Sequence, residues 1–386
     1  PLRQTFPYIH EDDLVCYGDQ DPFLDEEDLG WLKQCPASCL RVPGADHSLA
    51  DADHQPLHEA VFSAVGALLD EVSPGQRAAK DEDIRPIGIF DSGFGGLTVA
   101  REIAEELPNE SIVYFGDTAR CPYGPRSQEE VDGFVQQICH WLLDRGVKLL
   151  VIACNTATAA GLEHAQKNFA VPVIGAVEPG ARAAARATKN RRVGVIATKG
   201  TVESECYPRA IRHIDAGITV FSTATPKFVD IVEQGIRMSK GPIEDLTSRA
   251  SKVYIRPAFQ EIAQDYLEPL RRCDIDTLVL GCTHYPMLKA LIGGVVGHSV
   301  LLVSSAEEMA KDVRETLTLR GQLASPDNVA TREFFTSSDE VEEFQSFGSR
   351  VFNQEICRPT HIDLSCLEKY GSMSCESGLQ DASNTQ

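Results

Sequence analysis

Apolar residues in this chain gather in short runs that alternate with amphipathic stretches of helical length. From Pro86 onward, runs such as IGIF, SIVYF, KLLVIA, RRVGVIA and DTLVLG are followed by segments with apolar residues three and four positions apart. This alternation predicts α/β units around a mostly parallel sheet. The runs are apolar throughout, which is typical of strands covered by helices on both faces.

Two parts of the chain resemble each other weakly. PIGIFDSGFGG is similar to RVGVIATKGT, and KLLVIACNTATA is more clearly similar to TLVLGCTHYPML. In the second pair, an apolar strand, a small residue, a cysteine and a small polar group precede a helix. We therefore expect two halves of one architecture, with Cys154 and Cys282 just past the carboxyl end of a strand. In open α/β sheets, ligands bind at that edge.

Residues 1–85 have a different composition. They hold 18 Asp and Glu against 6 Lys and Arg, which is −12 of the total net charge of −21. Apolar residues from Pro56 to Val72 recur at three- and four-residue steps, which predicts one amphipathic helix in an acidic N-terminal extension. We expect a chain that starts near Ile84 to fold and to keep the function of the full chain. The polar composition of the last fifteen residues predicts a disordered tail.

Size and charge narrow the classes of function. The 386 residues predict two or three globular units. No apolar run approaches the ~18 residues of a membrane helix, and the start of the chain does not resemble a secretory signal. A net charge of −21 disfavours nucleic acid and anionic membranes as partners. We expect a cytoplasmic protein that binds a small molecule, and a homodimer is compatible with the sequence.

The cysteines suggest a specific chemistry. Twelve cysteines at irregular spacing predict reduced thiols and no metal site. If the two halves face each other, a small molecule between them meets Cys154 on one side and Cys282 on the other. A thiolate, favoured at a helix N-terminus, can remove a proton from a tetrahedral carbon while the opposite thiol donates one, which inverts the centre.

An alternative for each cysteine is a small buried core residue. The matching contexts ACNT and GCTH favour function for Cys154 and Cys282. Cys121 and Cys206 lie near predicted turns but have no counterpart in the other half, and Cys139 fits a buried helical face. The sequence therefore singles out one pair of thiols.

Five motifs together resemble those of glutamate racemases, cofactor-independent enzymes that supply D-glutamate for peptidoglycan. They are DSGFGGLTV, GDTARCPYG, VIACNTATA, VIGAVEPGA and LVLGCTHYP, in that order, and the resemblance spans roughly residues 86–352. It implies two facing, pseudo-symmetric α/β lobes with mostly parallel sheets and an active site in the cleft between them. It also implies glutamate as substrate, no cofactor and no metal.

The resemblance further implies domain boundaries. The first lobe would comprise residues 86–177 plus 304–335, and the second lobe residues 178–303. Residues 336–386 would form a C-terminal extension and tail. Between the FVDIVEQG segment and LVLGC the chain is longer than the family's pattern.

Roles for individual residues follow from matching motifs. Cys154 would act on the D-enantiomer and Cys282 on the L-enantiomer, with Asp91 and His284 as their polar partners. Glu233 matches a further acidic catalytic position. Carboxylates and an ammonium need neutral donors and a few acceptors around them. The matched substrate-binding positions are Asp91, Ser92, Asp117, Tyr123, Gly124, Asn155, Thr156, Thr283 and His284.

Two other functions remain compatible with the sequence. A related two-cysteine racemase could act on aspartate or another small acid, because the side chains that set substrate length are not identifiable. A racemase-fold protein could instead serve as a binding or regulatory protein that uses its acidic extension. DSGFGG is not the GxGxxG pattern of a dinucleotide-binding loop, and no lysine is singled out for a pyridoxal Schiff base.

Overall fold

A computed structural model describes residues 14–18, 38–42, 83–238, 256–352 and 354–370. The chain divides into two compact units, 1–81 and 82–386. In the first unit, strands β1 (Leu14–Gly18) and β2 (Ser38–Val42) pair in parallel. The helix predicted from Pro56 to Val72 and the tail predicted for the last fifteen residues lie outside the described residues.

The first lobe of the second unit is built on a six-stranded parallel sheet. In spatial order its strands are β12 (Thr360–His361), β11 (Arg332–Thr336), β4 (Ile112–Gly116), β3 (Ile87–Asp91), β5 (Leu149–Ile152) and β6 (Val173–Gly175). Its helices are α1 (Leu97–Glu106), α2 (Gln128–Leu143), α3 (Asn155–Asn168), α10 (Ala306–Leu319), α11 (Val341–Val351) and α12 (Ser365–Glu368).

The second lobe has a four-stranded parallel sheet. In spatial order its strands are β10 (Leu301–Val303), β9 (Thr277–Gly281), β7 (Arg192–Ala197) and β8 (Thr219–Ala224). Its helices are α4 (Val177–Ala187), α5 (Lys199–Glu203), α6 (Cys206–Ile214), α7 (Lys227–Met238), α8 (Pro257–Arg271), a 3₁₀ turn (Tyr285–Leu288) and α9 (Lys289–Val296). Among the described helices, none is both long enough and apolar enough to cross a bilayer.

Several inner strands of the two sheets are buried along their whole length. Every residue of β3, β4 and β9 is buried, and Phe90 and Val151 have no exposed surface. Helices cover both faces of such strands, so neither face needs polar side chains. The α/β alternation and the parallel sheets predicted from the apolar runs are confirmed.

Strand order explains where a ligand can bind. In the first sheet β3 lies between β4 and β5, and in the second sheet β7 lies between β8 and β9. After β3 the chain forms β4 on one side of it and only later β5 on the other side. After β7 it likewise forms β8 on one side and later β9 on the other. Such a reversal opens a crevice at the carboxyl ends of the strands. Asp91 ends β3, Cys154 follows β5 and Cys282 follows β9, so all three lie at these crevices.

A buried lysine ties the start of the second unit to the first lobe. Lys148 has no exposed surface, and its ammonium pairs with Glu110 at 2.7 Å. The same group donates to the carbonyl oxygens of Asp83 at 2.6 Å and Gln322 at 2.7 Å. A buried charge requires such partners, so the backbone at Asp83 belongs to the folded lobe.

A chain beginning at Glu82 is therefore expected to be more stable than one beginning at Ile84. The shorter chain loses the Asp83 carbonyl and places its own terminal ammonium near Lys148. Loss of a hydrogen bond to a buried charge costs about 1.5–3 kcal/mol. Urea denaturation would measure the difference in the free energy of unfolding between the two chains. Equal unfolding free energies for the two chains would contradict this account of Lys148.

Candidate active site

A cavity of about 30 Å³ lies between the two lobes. The first lobe lines it with Ser92, Cys121, Pro122, Tyr123, Gly124, Cys154, Asn155 and Thr156, and the second lobe with Thr198, Val229, Cys282, Thr283 and His284. The two cysteines that the sequence singled out thus face one space from different lobes.

Cys154 caps the N-terminus of α3. It follows β5 in extended backbone, and the backbone N–H of Ala157 donates to its Sγ at 3.5 Å. The thiol donates to Ser92 Oγ at 3.8 Å. Burial raises the pKa of the Cys154 thiol to about 11, and the nearby Asp91 carboxylate adds to the rise. The helix terminus expected from the sequence is present, but burial outweighs it and keeps this group a neutral thiol near pH 7.

Asp91 lies behind Ser92 at the end of β3. It has no exposed surface, and its carboxylate accepts a hydrogen bond from the backbone N–H of Gly93 at 3.0 Å. The Thr283 hydroxyl, from the second lobe, donates to it at 3.2 Å. Burial raises the pKa of Asp91 to about 6, while these hydrogen bonds oppose the rise. The Asp91 side chain can therefore exchange a proton close to neutral pH.

Cys282 pairs with His284 on the opposite side of the cavity. Cys282 directly follows β9, and its Sγ lies 3.8 Å from His284 Nδ1. Burial raises the pKa of the Cys282 thiol and lowers the pKa of His284 to about 4, so the imidazole is neutral at pH 7. His284 Nε2 lies 3.9 Å from a carboxylate oxygen of Glu233. The structure thus brings Glu233, on α7, to the Cys282 side of the site.

Asp117 lies one layer behind the cavity wall. It is fully buried and accepts hydrogen bonds from the Tyr123 hydroxyl, from Arg120 Nε at 2.6 Å and from Ser337 Oγ at 2.7 Å. Of these residues only Tyr123 lines the cavity. The structure therefore places Asp117 against Tyr123, and a direct contact between Asp117 and substrate remains a prediction from the sequence.

Hydroxyl groups join the two lobes beside the cavity. Thr156 on the first lobe shares a hydrogen bond of 2.8 Å with Thr198 on the second. The backbone N–H of Gly200 donates to the carbonyl oxygen of Gly124 at 3.0 Å. A Cβ at Gly124 would lie 3.0 Å from the Thr198 Cβ, so glycine permits this close approach. The expected site residues Thr156 and Gly124 therefore sit where the lobes meet.

Four residues of the cavity wall had no role in the sequence-based prediction. They are Cys121, Pro122, Thr198 and Val229. Cys121 was set aside because the other half of the chain has no equivalent. Its Sγ nevertheless lies close to the DSGFGG segment, since a Cβ at Gly93 would stand 3.4 Å from it. Its place two residues before Tyr123 is the one sequence signal that could have identified it. Thr198 and Val229 become neighbours of the cysteines only through the packing of the lobes.

Comparison with known proteins identifies the family. Residues 87–313 match the family model for Asp/Glu/Hydantoin racemases. A glutamate racemase of Listeria monocytogenes is 44% identical over 278 residues, which are 72% of this chain and 98% of that protein. This chain belongs to the glutamate racemase family. The resemblance drawn from the five motifs is confirmed.

Solved glutamate racemases share the fold. The isoform RacE1 of Bacillus anthracis has a TM-score of 0.65 and 40% identity, covering 73% of this chain and 99% of that one. The Francisella tularensis glutamate racemase, crystallised in complex with D-glutamate, has a TM-score of 0.64 and 31% identity, covering 73% of this chain and 98% of that one. The predicted fold class, two α/β lobes with mostly parallel sheets, is confirmed.

Proposed function

We propose that this protein interconverts L- and D-glutamate, with one cysteine thiolate removing the α-proton and the opposite cysteine returning a proton to the other face. The observation that carries the proposal is that Cys154 and Cys282 come from different lobes and line the same cavity. We infer that glutamate is the substrate because the chain belongs to the glutamate racemase family. We propose further that the D-glutamate is used in peptidoglycan and that the protein is cytoplasmic.

Inversion by two thiols balances protons and electrons without another reactant. The thiolate on one face takes the α-hydrogen as a proton, and the electron pair left behind is delocalised into the α-carboxylate. The thiol on the other face then protonates the carbon, so the configuration is reversed. The two cysteines finish with exchanged protonation states, and the reverse reaction runs by the same steps. Cys154 would act first on D-glutamate and Cys282 on L-glutamate.

Substrate binding would create the thiolate. In the closed cavity, burial keeps the pKa of Cys154 near 11. The ammonium group of glutamate places a positive charge beside the sulfur, which favours the thiolate and lowers that pKa. Asp91 and Glu233 are acceptors for the displaced protons or for the ammonium, one near each thiol. His284, a neutral imidazole beside Cys282, can assist that thiol by hydrogen bonding to the sulfur through Nδ1.

Polar residues around the cysteines would hold the two carboxylates. Ser92, Asn155, Thr156 and Thr283 present hydroxyl and amide groups at the cavity, which can donate to carboxylate oxygens without adding buried charge. Asp117 would act through Tyr123, whose hydroxyl it holds.

Activity is expected to fall as the pH drops below about 6. Because burial raises the pKa of Asp91 to about 6, its carboxylate is ionised above that pH and protonated below it. If the ionised form assists the chemistry, kcat/KM should decline about tenfold per pH unit on the acid side. The pH profile of kcat/KM measures this decline. The variant Asp91→Asn should racemise glutamate more slowly, and its kcat/KM should not decline further below pH 6. A wild-type profile that stays flat to pH 5 would contradict the role of Asp91.

The test of the proposal is racemisation of glutamate with no added cofactor. Optical rotation should decay from either enantiomer, and reaction in D₂O should place deuterium at the α-carbon. Aspartate, offered at the same concentration, is the competitor and is expected to react much more slowly. Rapid loss of optical activity with aspartate but not with glutamate would show that aspartate is the substrate. No loss with either acid would overturn the enzymatic function.

A further inference from the structure

Tyr207 reaches from the second lobe to a residue of the first lobe. Its side chain belongs to the hydrophobic core of the second lobe and is 1% exposed. Its hydroxyl donates to Asn155 Oδ1 at 2.6 Å. Asn155 begins α3 and lines the cavity that Cys154 and Cys282 share. A core tyrosine of one lobe thus contacts a site residue supplied by the other.

Two glycines let the backbone pass close to the tyrosine ring. A Cβ at Gly180 would lie 3.1 Å from the Tyr207 hydroxyl oxygen, and a Cβ at Gly281 would lie 3.1 Å from Tyr207 Cε2. Contacts at that distance are tighter than ordinary van der Waals packing, so each glycine is a position where the backbone passes close to the ring. The position of the hydroxyl is therefore set by the core of the second lobe.

The hydroxyl determines which end of the Asn155 amide faces Tyr207. Within the described part of the chain, Asn155 is the only hydrogen-bond partner of this hydroxyl. With Oδ1 toward Tyr207, the tyrosine proton has an acceptor. If the amide were reversed, its Nδ2 would donate to the hydroxyl and the tyrosine proton would be buried without one, which is unfavourable. Tyr207 thus favours the amide orientation in which Asn155 Oδ1 faces the tyrosine hydroxyl and Nδ2 points away from it.

The amide nitrogen of Asn155 lacks an acceptor. Asn155 is 2% exposed, and its Nδ2 has no hydrogen-bond partner among the described residues. A buried amide donor is normally paired, so an unpaired one on a cavity wall points to a ligand acceptor. A carboxylate forms the strongest hydrogen bonds with such a donor. The substrate of the proposed reaction carries two.

We propose that Tyr207 is a positioning residue for substrate binding, because it holds the Asn155 amide with Nδ2 directed at a carboxylate of glutamate. The inference rests on the proposed function. The hydrogen bond joins the two lobes. The orientation of a site residue of the first lobe is therefore coupled to the packed core of the second lobe.

The variant Tyr207→Phe removes the hydroxyl and keeps the ring. We expect KM for both enantiomers to rise about tenfold with a smaller change in kcat, because the lost interaction serves the bound substrate and the transition state alike. The matched control is Tyr370→Phe, which removes another tyrosine hydroxyl that is bonded to Asp144. Tyr370 does not line the cavity, so its variant should keep the wild-type KM.

A double variant separates positioning from simple packing. Asn155→Ala removes the amide that Tyr207 orients and leaves the tyrosine hydroxyl unpaired. In that background, Tyr207→Phe should cause no further rise in KM, since nothing remains to be positioned. Tyr370→Phe should behave the same in both backgrounds. Melting temperatures of all variants show whether each one is folded.

The outcomes distinguish the inference from the function on which it rests. A wild-type protein that does not racemise glutamate overturns the proposed function and this inference with it. A wild type that racemises glutamate, with an unchanged KM in Tyr207→Phe, overturns the positioning role alone. An equal rise in KM in the wild-type and Asn155→Ala backgrounds also overturns it, because Tyr207 would then act independently of the amide.

Discussion

Replacing either Cys154 or Cys282 with alanine is expected to lower kcat for glutamate racemisation by at least ~10²–10⁴-fold in both directions. Each inversion needs a base on one face and an acid on the other, so the loss of one thiol stops both directions. The double variant should be little slower than either single variant, because the two thiols act as a unit. Circular dichroism at the substrate band measures the rate.

The matched control is Cys139→Ala. Cys139 is a fully buried thiol in α2 that does not line the cavity, so its removal should leave kcat nearly unchanged.

Proton exchange in D₂O adds a second test. Cys154→Ala keeps Cys282 and should still exchange the α-proton of L-glutamate, with retention of configuration, but not that of D-glutamate. Wild-type racemisation by Cys154→Ala would refute the two-thiol mechanism.

Gly95→Ala is expected to lower kcat/KM by at least ~10²-fold while each lobe stays folded. Gly95 lies in the DSGFGG segment between β3 and α1. An added Cβ would overlap Thr283 Oγ1 and stand 2.7 Å from His284 Nδ1, two groups of the second lobe. The methyl group would hold the lobes apart at the cysteines. A displacement of about 1 Å in an active site can cost about 10²-fold in rate.

The control for this effect is Gly133→Ala in α2. A Cβ at Gly133 meets nothing within 4 Å, and alanine favours the helix by roughly 0.5–1 kcal/mol. This variant should keep the wild-type kcat/KM and melt slightly higher. Steady-state kinetics and thermal unfolding of both variants are the measurements. Wild-type kcat/KM in Gly95→Ala would show that the lobes do not need this close approach.

Much of the fold follows from local sequence. Apolar runs such as those of β3 and β9 predict buried parallel strands because only strands covered on both faces can be apolar at every position. The same runs locate Cys154 and Cys282 at strand ends, since a strand stops where small and polar residues begin. The repeat of strand, cysteine and helix then predicts two similar lobes.

The surroundings of the thiols could not be predicted in the same way. The helix N-terminus at Cys154 suggested a lowered thiol pKa, but complete burial raises it to about 11. Burial is a property of the packed lobes and has no local signature. Asp117 shows the same limit, because no local signal in the sequence indicates that Arg120 and Ser337 hold it behind Tyr123.

The sequence by itself determined the α/β lobes, the strand ends that carry the two cysteines, and the family. Those features depend on residues close together in the chain, where periodicity and motifs can be recognised. Only the tertiary structure decided that Cys121 and Val229 share the cavity with the two cysteines and that the Tyr207 hydroxyl contacts Asn155. Such contacts join residues from different lobes, and they exist only once each hydrophobic core has packed and the two sheets face each other.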